Sequence, residues 1–284
     1  MPKVKNKTFL SNRRNKHEPA LPENTNSHFK RYANSDDFNL EIEEITKGDP
    51  KKILKWPSHM LIFGSTQAGK TSLIADMLDN INKVYIFDKE PIERKLIVVS
   101  PIPQLEIADK MSSTNLWDME LYNNLDLLSE DFEDHLINQF RKSSPNAVNI
   151  LLLDDILTHA KHNQIDFLNK LFAYFRHINV SILATVHSYD IRFSTIIDQS
   201  GLIITMFCLN TSNVIRNILM RYLYKGTAKV WKEVRRIFIS HLRKHDYLCL
   251  NFSKESLSSE VFFITDTLFN ARRGVTLSQI VNNI

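Results

Sequence analysis

Cysteine is nearly missing from this chain: there are two in 284 residues, Cys208 and Cys249. Both lie in apolar, strand-like runs. The expectation is a pair of buried thiols in a reducing compartment and no disulfide framework. Long apolar runs are missing too. None approaches the roughly 18 residues that a membrane-spanning helix needs, and the first residues carry no signal-peptide-like apolar stretch. The chain is therefore expected to be soluble and intracellular, with no membrane partner. It also lacks internal repeats. What remains is 43% hydrophobic residues, enough for a real core in one large α/β domain or two small ones. The net charge is +4. That mild basic excess suits a polyanionic partner and equally suits ordinary surface charge.

Residues 1–37 are polar and poor in aliphatics, with Lys3, Lys5, Lys7, Arg13, Arg14 and Lys16 ahead of the first acid, Glu18. This is read as a disordered basic arm, for nuclear import, DNA contact or mere solubility. Residues 38–284 are read as one domain. Phe38 to Ile45 alternates like a half-exposed strand. Met60 to Phe63, Lys95 to Ser100, Val148 to Leu153, Val180 to Val186 and Leu202 to Leu209 are short apolar strands. Residues 129–142 and 163–177 have helical spacing, as do 211–224 and 227–244. Tyr247 to Phe252 and Val261 to Thr265 are late strands. Residues 104–128 are mixed and give no clear pattern. Apolar strands alternating with helices predict a mainly parallel sheet flanked by helices.

Gly64-Ser65-Thr66-Gln67-Ala68-Gly69-Lys70-Thr71 reads G-x-x-x-x-G-K-T. It follows a strand pattern and opens a helical one, which is the context a phosphate-binding P-loop needs. The glycines let successive backbone N–H groups turn inward, and the helix N-terminus adds partial positive charge. Gly64, Ser65, Thr66, Gln67, Ala68, Gly69, Lys70, Thr71 and Ser72 form the expected nucleotide-binding set. Lys70 would reach the β- and γ-phosphates of ATP, and the Thr71 hydroxyl would ligate Mg²⁺.

The run Asn149 to Leu153 is apolar and ends in Asp154-Asp155. Ligands in such sheets sit beyond the carboxyl ends of strands. Asp154 is placed to hold Mg²⁺ and Asp155 to orient or deprotonate the attacking water. A second acid at that position marks P-loop proteins that hydrolyse. The strand Ser181 to Val186 ends in His187, at the level where a polar sensor touches the γ-phosphate or the water; a strand-end cap is the plainer alternative. Lys225, Lys229, Lys232, Arg236 and Arg243 share one face of a helix at 3.6 residues per turn. That stripe suits a DNA backbone, and equally a solvated face or an interface between subunits.

Taken together, these residues resemble the viral genome-packaging ATPases of the FtsK/HerA superfamily, poxvirus-type branch. Within it they look like those of Polinton/Maverick elements and adintovirus-like or virophage-like viruses. Trp56-Pro57, Pro91 to Arg94, Gln104, Asp154-Asp155, Phe175 to Ser181 and Asp246 to Phe252 carry the likeness. The chain departs from the group at His187, where Gln is usual, inside the P-loop, and at Asp198 to Gly201. The resemblance implies a RecA-like P-loop fold with an added strand, the sensor strand lying between the P-loop strand and the Asp154 strand. It further implies an Mg²⁺-dependent ATPase in a homo-oligomeric ring, a hexamer, that moves double-stranded DNA into a capsid through its vertex. Arg176, Arg192 and Arg216 are candidates to reach a neighbour's γ-phosphate, with Arg176 carried forward as catalytic. The implied location is an intracellular host compartment, nucleus or virus factory, or the virion itself. A HerA-like helicase or translocase, and a nucleotide-regulated DNA-binding scaffold without turnover, remain the other readings.

Overall fold

The β-strands that build the chain's core are those whose residues are apolar on both faces. Ala147–Leu153 (AVNILLL) and Val180–Val186 (VSILATV) are buried at every position. Such runs fit the middle of a sheet covered on both sides. A computed structural model of the chain describes residues 43–44, 54–65, 67–101, 107, 109, 111, 116–123, 129–156, 160–206, 217, 247–251, 260–264 and 272–276. The basic arm at 1–37, the strand expected from Phe38 (save Glu43 and Glu44) and both late helices (save Asn217) lie outside the described residues. So does nearly all of the cationic stripe's surroundings, including its five residues.

The described elements run in order: β1 (Glu43–Glu44), β2 (Leu54–Lys55), β3 (His59–Phe63), α1 (Lys70–Asp79), α2 (Ile81–Val84), β4 (Tyr85–Ile86), β5 (Glu93–Val99), β6 (Asp118–Tyr122), α3 (Glu130–Arg141), β7 (Ala147–Leu153), α4 (His162–Tyr174), β8 (Val180–Val186), α5 (Ser194–Gln199), β9 (Ser200–Met206), β10 (Tyr247–Asn251), β11 (Glu260–Ile264) and β12 (Arg272–Thr276). Ten strands form one sheet in the order β1-β12-β11-β10-β9-β3-β8-β7-β5-β6. From β9 to β6 every pair is parallel. From β9 outward through β10, β11, β12 and β1 every pair is antiparallel. β8 lies between β3 and β7, as the resemblance implied. Strands β2 and β4 pair separately in a small parallel sheet.

The alternation of each strand sorts the core into two layers. Met60, Ile62, Leu96, Val98, Ile150, Leu152, Leu183, Leu202 and Ile204 meet Leu73, Ile74, Met77 and Leu78 of α1. The four helix residues recur at the spacing of one face, each contributing on the order of 2 kcal/mol by burial. Leu61, Phe63, Ile97, Val99, Leu151, Leu153, Ile182, Ala184 and Ile203 meet α3, α4 and α5 on the other side. Helix α3 shows why it forms: Phe132, Leu136 and Phe140 stand four apart, with acids in its first turn and Arg141 in its last. The helix expected over 163–177 is α4 followed by a tighter 3₁₀ turn, Phe175–Ile178.

The amino edge of the parallel strands is tied by side chains. His59 is buried, and its Nδ1 accepts from the Ile182 N–H at 2.9 Å while its Nε2 donates to the Phe172 carbonyl at 2.8 Å. The acceptor role of Nδ1 demands the neutral imidazole. Tyr85 Oη donates to the Ser58 carbonyl at 2.9 Å and meets Ser181 Oγ at 2.9 Å. Ser181 Oγ also donates to the Ser58 carbonyl. Asn179, left-handed at φ 61, accepts from Trp56 Nε1 at 2.7 Å and donates to the carbonyls of Ala147 at 3.1 Å and Pro145 at 3.4 Å. Trp56, whose bond to Pro57 is cis, packs edge-on to Tyr85. A cavity of about 330 Å³ opens beside Trp56, Phe87 and Asn179, at the sheet edge opposite the P-loop.

Two outcomes follow from these anchors. Burial lowers the His59 pKa from 6.5 to about 4, and Arg176 adds to the shift. Between those values the unfolded chain takes up a proton that the folded chain refuses, so stability is lost as pH falls from about 6.5 towards 4. The loss between pH 7.5 and pH 5 is expected to be about 2 kcal/mol by proton linkage. Urea unfolding at the two pH values measures it, and His59→Asn is expected to flatten this slope while lowering stability at pH 7.5. At position 179, Ala forfeits the side-chain bonds and strains the left-handed turn, whereas Gly forfeits only the bonds. Asn179→Ala is expected to unfold about 1 kcal/mol more easily than Asn179→Gly, read from urea midpoints.

Candidate nucleotide site

The register of three strands decides which residues meet at the carboxyl edge. β3 and β8 align Phe63 with Val186, and β8 and β7 align Ala184 with Leu153. One step further on, Asp154 comes level with Thr185, and Gly64 comes level with His187. Leu183 and Leu152 face α1, so Thr185 and Asp154, each two residues on, face the same side. The helix that begins at the P-loop therefore covers the face that carries the polar groups.

The loop leaves β3 with Gly64 N–H donating to the Val186 carbonyl at 2.9 Å. Gln67 and Gly69 take left-handed φ values of 61 and 90. Gly69 is the N-cap of α1, and there the missing β-carbon removes the strain that any other residue would meet. The Leu73 N–H returns to the Gly69 carbonyl at 2.9 Å. No acid stands in the first turn of α1, so its partial positive charge is left for an anion. Lys70 is buried, with Nζ 3.0 Å from the Gly64 carbonyl, 3.2 Å from the Ser65 carbonyl and 3.8 Å from Asp155 Oδ1. Thr71 and Ser72 follow in the first turn. Thr66 lies outside the described residues.

The two acids sit differently. Asp154 is buried, and its N–H donates to the Val99 carbonyl at 3.0 Å. Its Oδ1 accepts from Thr185 Oγ1 at 2.8 Å. Burial raises the Asp154 carboxyl above the usual carboxylate range. The Thr185 bond opposes that, the Asp155 charge adds to it, and Lys70 and His187 oppose it further. Asp155 turns left-handed at φ 55 and points its partly exposed carboxylate elsewhere. Its Oδ1 lies 2.9 Å from His187 Nε2. Its N–H donates to Thr185 Oγ1 at 2.8 Å.

This arrangement sets a buried ammonium, a helix N-terminus and two carboxylates around one strand edge. The Thr71 hydroxyl and Asp154 offer oxygen donors, the chemistry that suits a hard divalent cation such as Mg²⁺. Asp155, with His187 at hydrogen-bond distance, offers an acceptor that can take a proton from water. Thus the structure brings Lys70, Asp154, Asp155 and His187 to one strand edge, with His187 paired to Asp155. Arg176 is exposed and lies in the 3₁₀ turn before β8. A seven-residue strand separates it from His187, about 20 Å at the rise of an extended chain, so it does not reach its own chain's site. Arg192 lies on the P-loop side, closed onto Asp190 at 2.9 Å through Nε and 2.7 Å through Nη2. Arg216 and the stripe residues Lys225, Lys229, Lys232, Arg236 and Arg243 lie outside the described residues. Thr185 is the residue that the sequence reading passed over. Its only signal was a hydroxyl two positions before His187 in an otherwise apolar strand.

The strand order and this site define an α/β P-loop fold of the RecA-like kind, with one strand inserted between the P-loop strand and the acid-bearing strand. No protein-family model and no curated protein matches the chain. Among solved structures it is similar to the genome packaging NTPase B204 from Sulfolobus turreted icosahedral virus 2 in complex with AMPPCP. That likeness has 15% identity over 72% of this chain and 96% of that one, with a TM-score of 0.49. B204 described as the DNA-packaging ATPase from Sulfolobus Turreted Icosahedral Virus is 13% identical over 72% of this chain and 96% of its own, with a TM-score of 0.47. Thermomonospora curvata EccC (ATPases 2 and 3), in complex with a signal sequence peptide, is 16% identical over 77% of this chain and 36% of its own, with a TM-score of 0.41. What makes this chain a P-loop fold is its own strand order and site geometry.

Proposed function

We propose that the protein is an Mg²⁺-dependent ATPase that works as a homo-oligomeric ring, a hexamer, and drives double-stranded DNA into a viral or virus-like capsid at its vertex. One observation carries the ATPase part. β8 sets Lys70, Asp154, Asp155 and His187 around a single strand edge, with Lys70 Nζ 3.8 Å and His187 Nε2 2.9 Å from the same Asp155 oxygen. In this reading Lys70 and the loop N–H groups after Gly64, up to Ser72, hold the β- and γ-phosphates, while the Gly64 N–H stays on the Val186 carbonyl. Thr71 and Asp154 hold the cation, which neutralises charge on the transferred phosphoryl group when bound. Asp155 takes the proton from the attacking water, and His187 positions Asp155. The DNA and capsid parts are supported by the residue-by-residue resemblance to the packaging branch and by the cationic stripe at Lys225 to Arg243. A trans-acting arginine, Arg176, Arg192 or Arg216, would complete the charge balance from a neighbouring subunit. The proposed setting is the host nucleus or virus factory, or the virion.

The test is ATP hydrolysis by the purified protein with and without double-stranded DNA. DNA is expected to stimulate turnover, and Lys70→Ala to abolish it. Asp155→Asn is expected to keep ATP binding while lowering kcat at least about 100-fold, the scale of a lost general base. His187→Gln, which retains a donor, is expected to cost less than His187→Ala. Lys70→Ala with wild-type turnover overturns the site. Wild-type turnover indifferent to DNA moves the motor to another polymer.

A further inference from the structure

We infer that Thr185 is the positioning residue of this site: its hydroxyl holds the metal-facing and water-facing carboxylates at fixed and different orientations. The inference rests on the proposed roles of Asp154 and Asp155 and deepens them. Thr185 is fully buried in the middle strand of the site, β8, where a hydroxyl needs partners on both its donor and acceptor sides. It has them. The single proton lies towards Asp154 Oδ1 at 2.8 Å, because Asp155 Oδ1 is further away at 3.4 Å. The lone pair accepts the Asp155 N–H at 2.8 Å.

The second bond explains the backbone. Asp155 is left-handed at φ 55, a conformation that costs a non-glycine residue free energy unless something holds it. The N–H clamp to Thr185 holds it. It thereby holds the Asp155 carboxylate within reach of Lys70 and His187. Without the clamp, two adjacent carboxylates at a strand end would alternate or drift, and their mutual repulsion would choose the geometry. β-Branching adds stiffness, since Thr in a strand has few side-chain rotamers. The hydroxyl thus transmits the fixed register of β8 against β7 to both acids.

Two variants of Thr185 and three readouts test this, turnover being the third. Thr185→Val keeps shape and removes the hydroxyl, and Thr185→Ser keeps the hydroxyl and removes the methyl group. Mn²⁺ titration of the full chain with AMPPNP, followed by electron paramagnetic resonance, reads the cation site without turnover. A fluorescent ATP analogue in EDTA reads nucleotide binding alone, with Lys70→Ala as the control that loses it. Thr185→Val is expected to weaken Mn²⁺ binding and kcat by about 10-fold or more, the usual cost of removing a residue that orients a ligand, and to leave metal-free nucleotide binding within about 3-fold. Thr185→Ser is expected to stay within about 3-fold of the wild type in every readout. Thr185→Val with wild-type Mn²⁺ affinity and kcat overturns the inference. So does Thr185→Ser as impaired as Thr185→Val, because packing and not the hydroxyl would then be what matters. If Thr185→Val does not fold, the serine variant decides: Mn²⁺ affinity and kcat within about 3-fold of the wild type support the inference, and a loss of about 10-fold or more overturns it. A wild-type protein that binds no nucleotide overturns the nucleotide reading itself, which is a separate result.

Discussion

The lateral register of β8 is the constraint on which the site depends. β8 touches β3 on one side and β7 on the other, and its two ladders align Phe63 and Leu153 with residues two apart, Val186 and Ala184. A slip of one residue would turn Thr185 and His187 to the opposite face. The P-loop would then stand over Ala184 and Val186, and β8 would offer neither acid a polar partner. The dense apolar packing on both faces is what forbids that slip. The core therefore acts as the rule that measures out the chemistry at its edge.

The amino edge of the same strand supplies the second half of this rigidity. There β8 is held by side chains: His59 on the Ile182 N–H, Ser181 with Tyr85 on the Ser58 carbonyl, and Asn179 just ahead of the strand. These bonds join β8 to β3, β7 and the small sheet of β2 and β4. They satisfy backbone groups where ladders end, which buried backbone must achieve somehow. One edge is fastened by many side-chain bonds, and the other carries the groups that must engage a ligand. The cavity beside Trp56 belongs to the fastened edge, away from the site.

The parts of this molecule that were legible in the sequence share a physical cause. β3, β5, β7 and β8 are buried on both faces, so they read as unbroken apolar runs. The P-loop and the Asp154-Asp155 pair sit at their ends by the general rule for parallel sheets. β6 was not legible, because it is an edge strand with Asp118 and Glu120 paired to the buried Lys95. β12 begins Arg272-Arg273-Gly274, a composition with little strand preference. β9 starts at Ser200-Gly201, two residues before its apolar run. A β-carbon at 201 would collide with the Ser58 side chain, so a small residue belongs there for packing and masks the strand. Thr185 was invisible for a different reason. A threonine in a strand is ordinary, and only three-dimensional register shows that its hydroxyl lies between two acids.

Strain and charge are distributed unevenly between the two edges. Asn179 is left-handed, yet its side chain is bonded on both amide ends and its carbonyl accepts from Asn149 Nδ2 at 3.3 Å, so that turn is over-determined. Gln67, Gly69 and Asp155 are left-handed at the other edge, around a buried ammonium and a buried carboxylate whose ionised form its surroundings disfavour. Each left-handed non-glycine residue costs on the order of 1–3 kcal/mol in isolation, and a core of this size can carry several. In the proposed reading, a site built this way would gain from binding phosphate and a cation: phosphate oxygens would meet loop N–H groups and Lys70, and a cation would offset the repulsion between Asp154 and Asp155. In that reading the placement of like charges at one strand edge would itself favour a cation there, while Lys70 and the helix N-terminus would favour the anion.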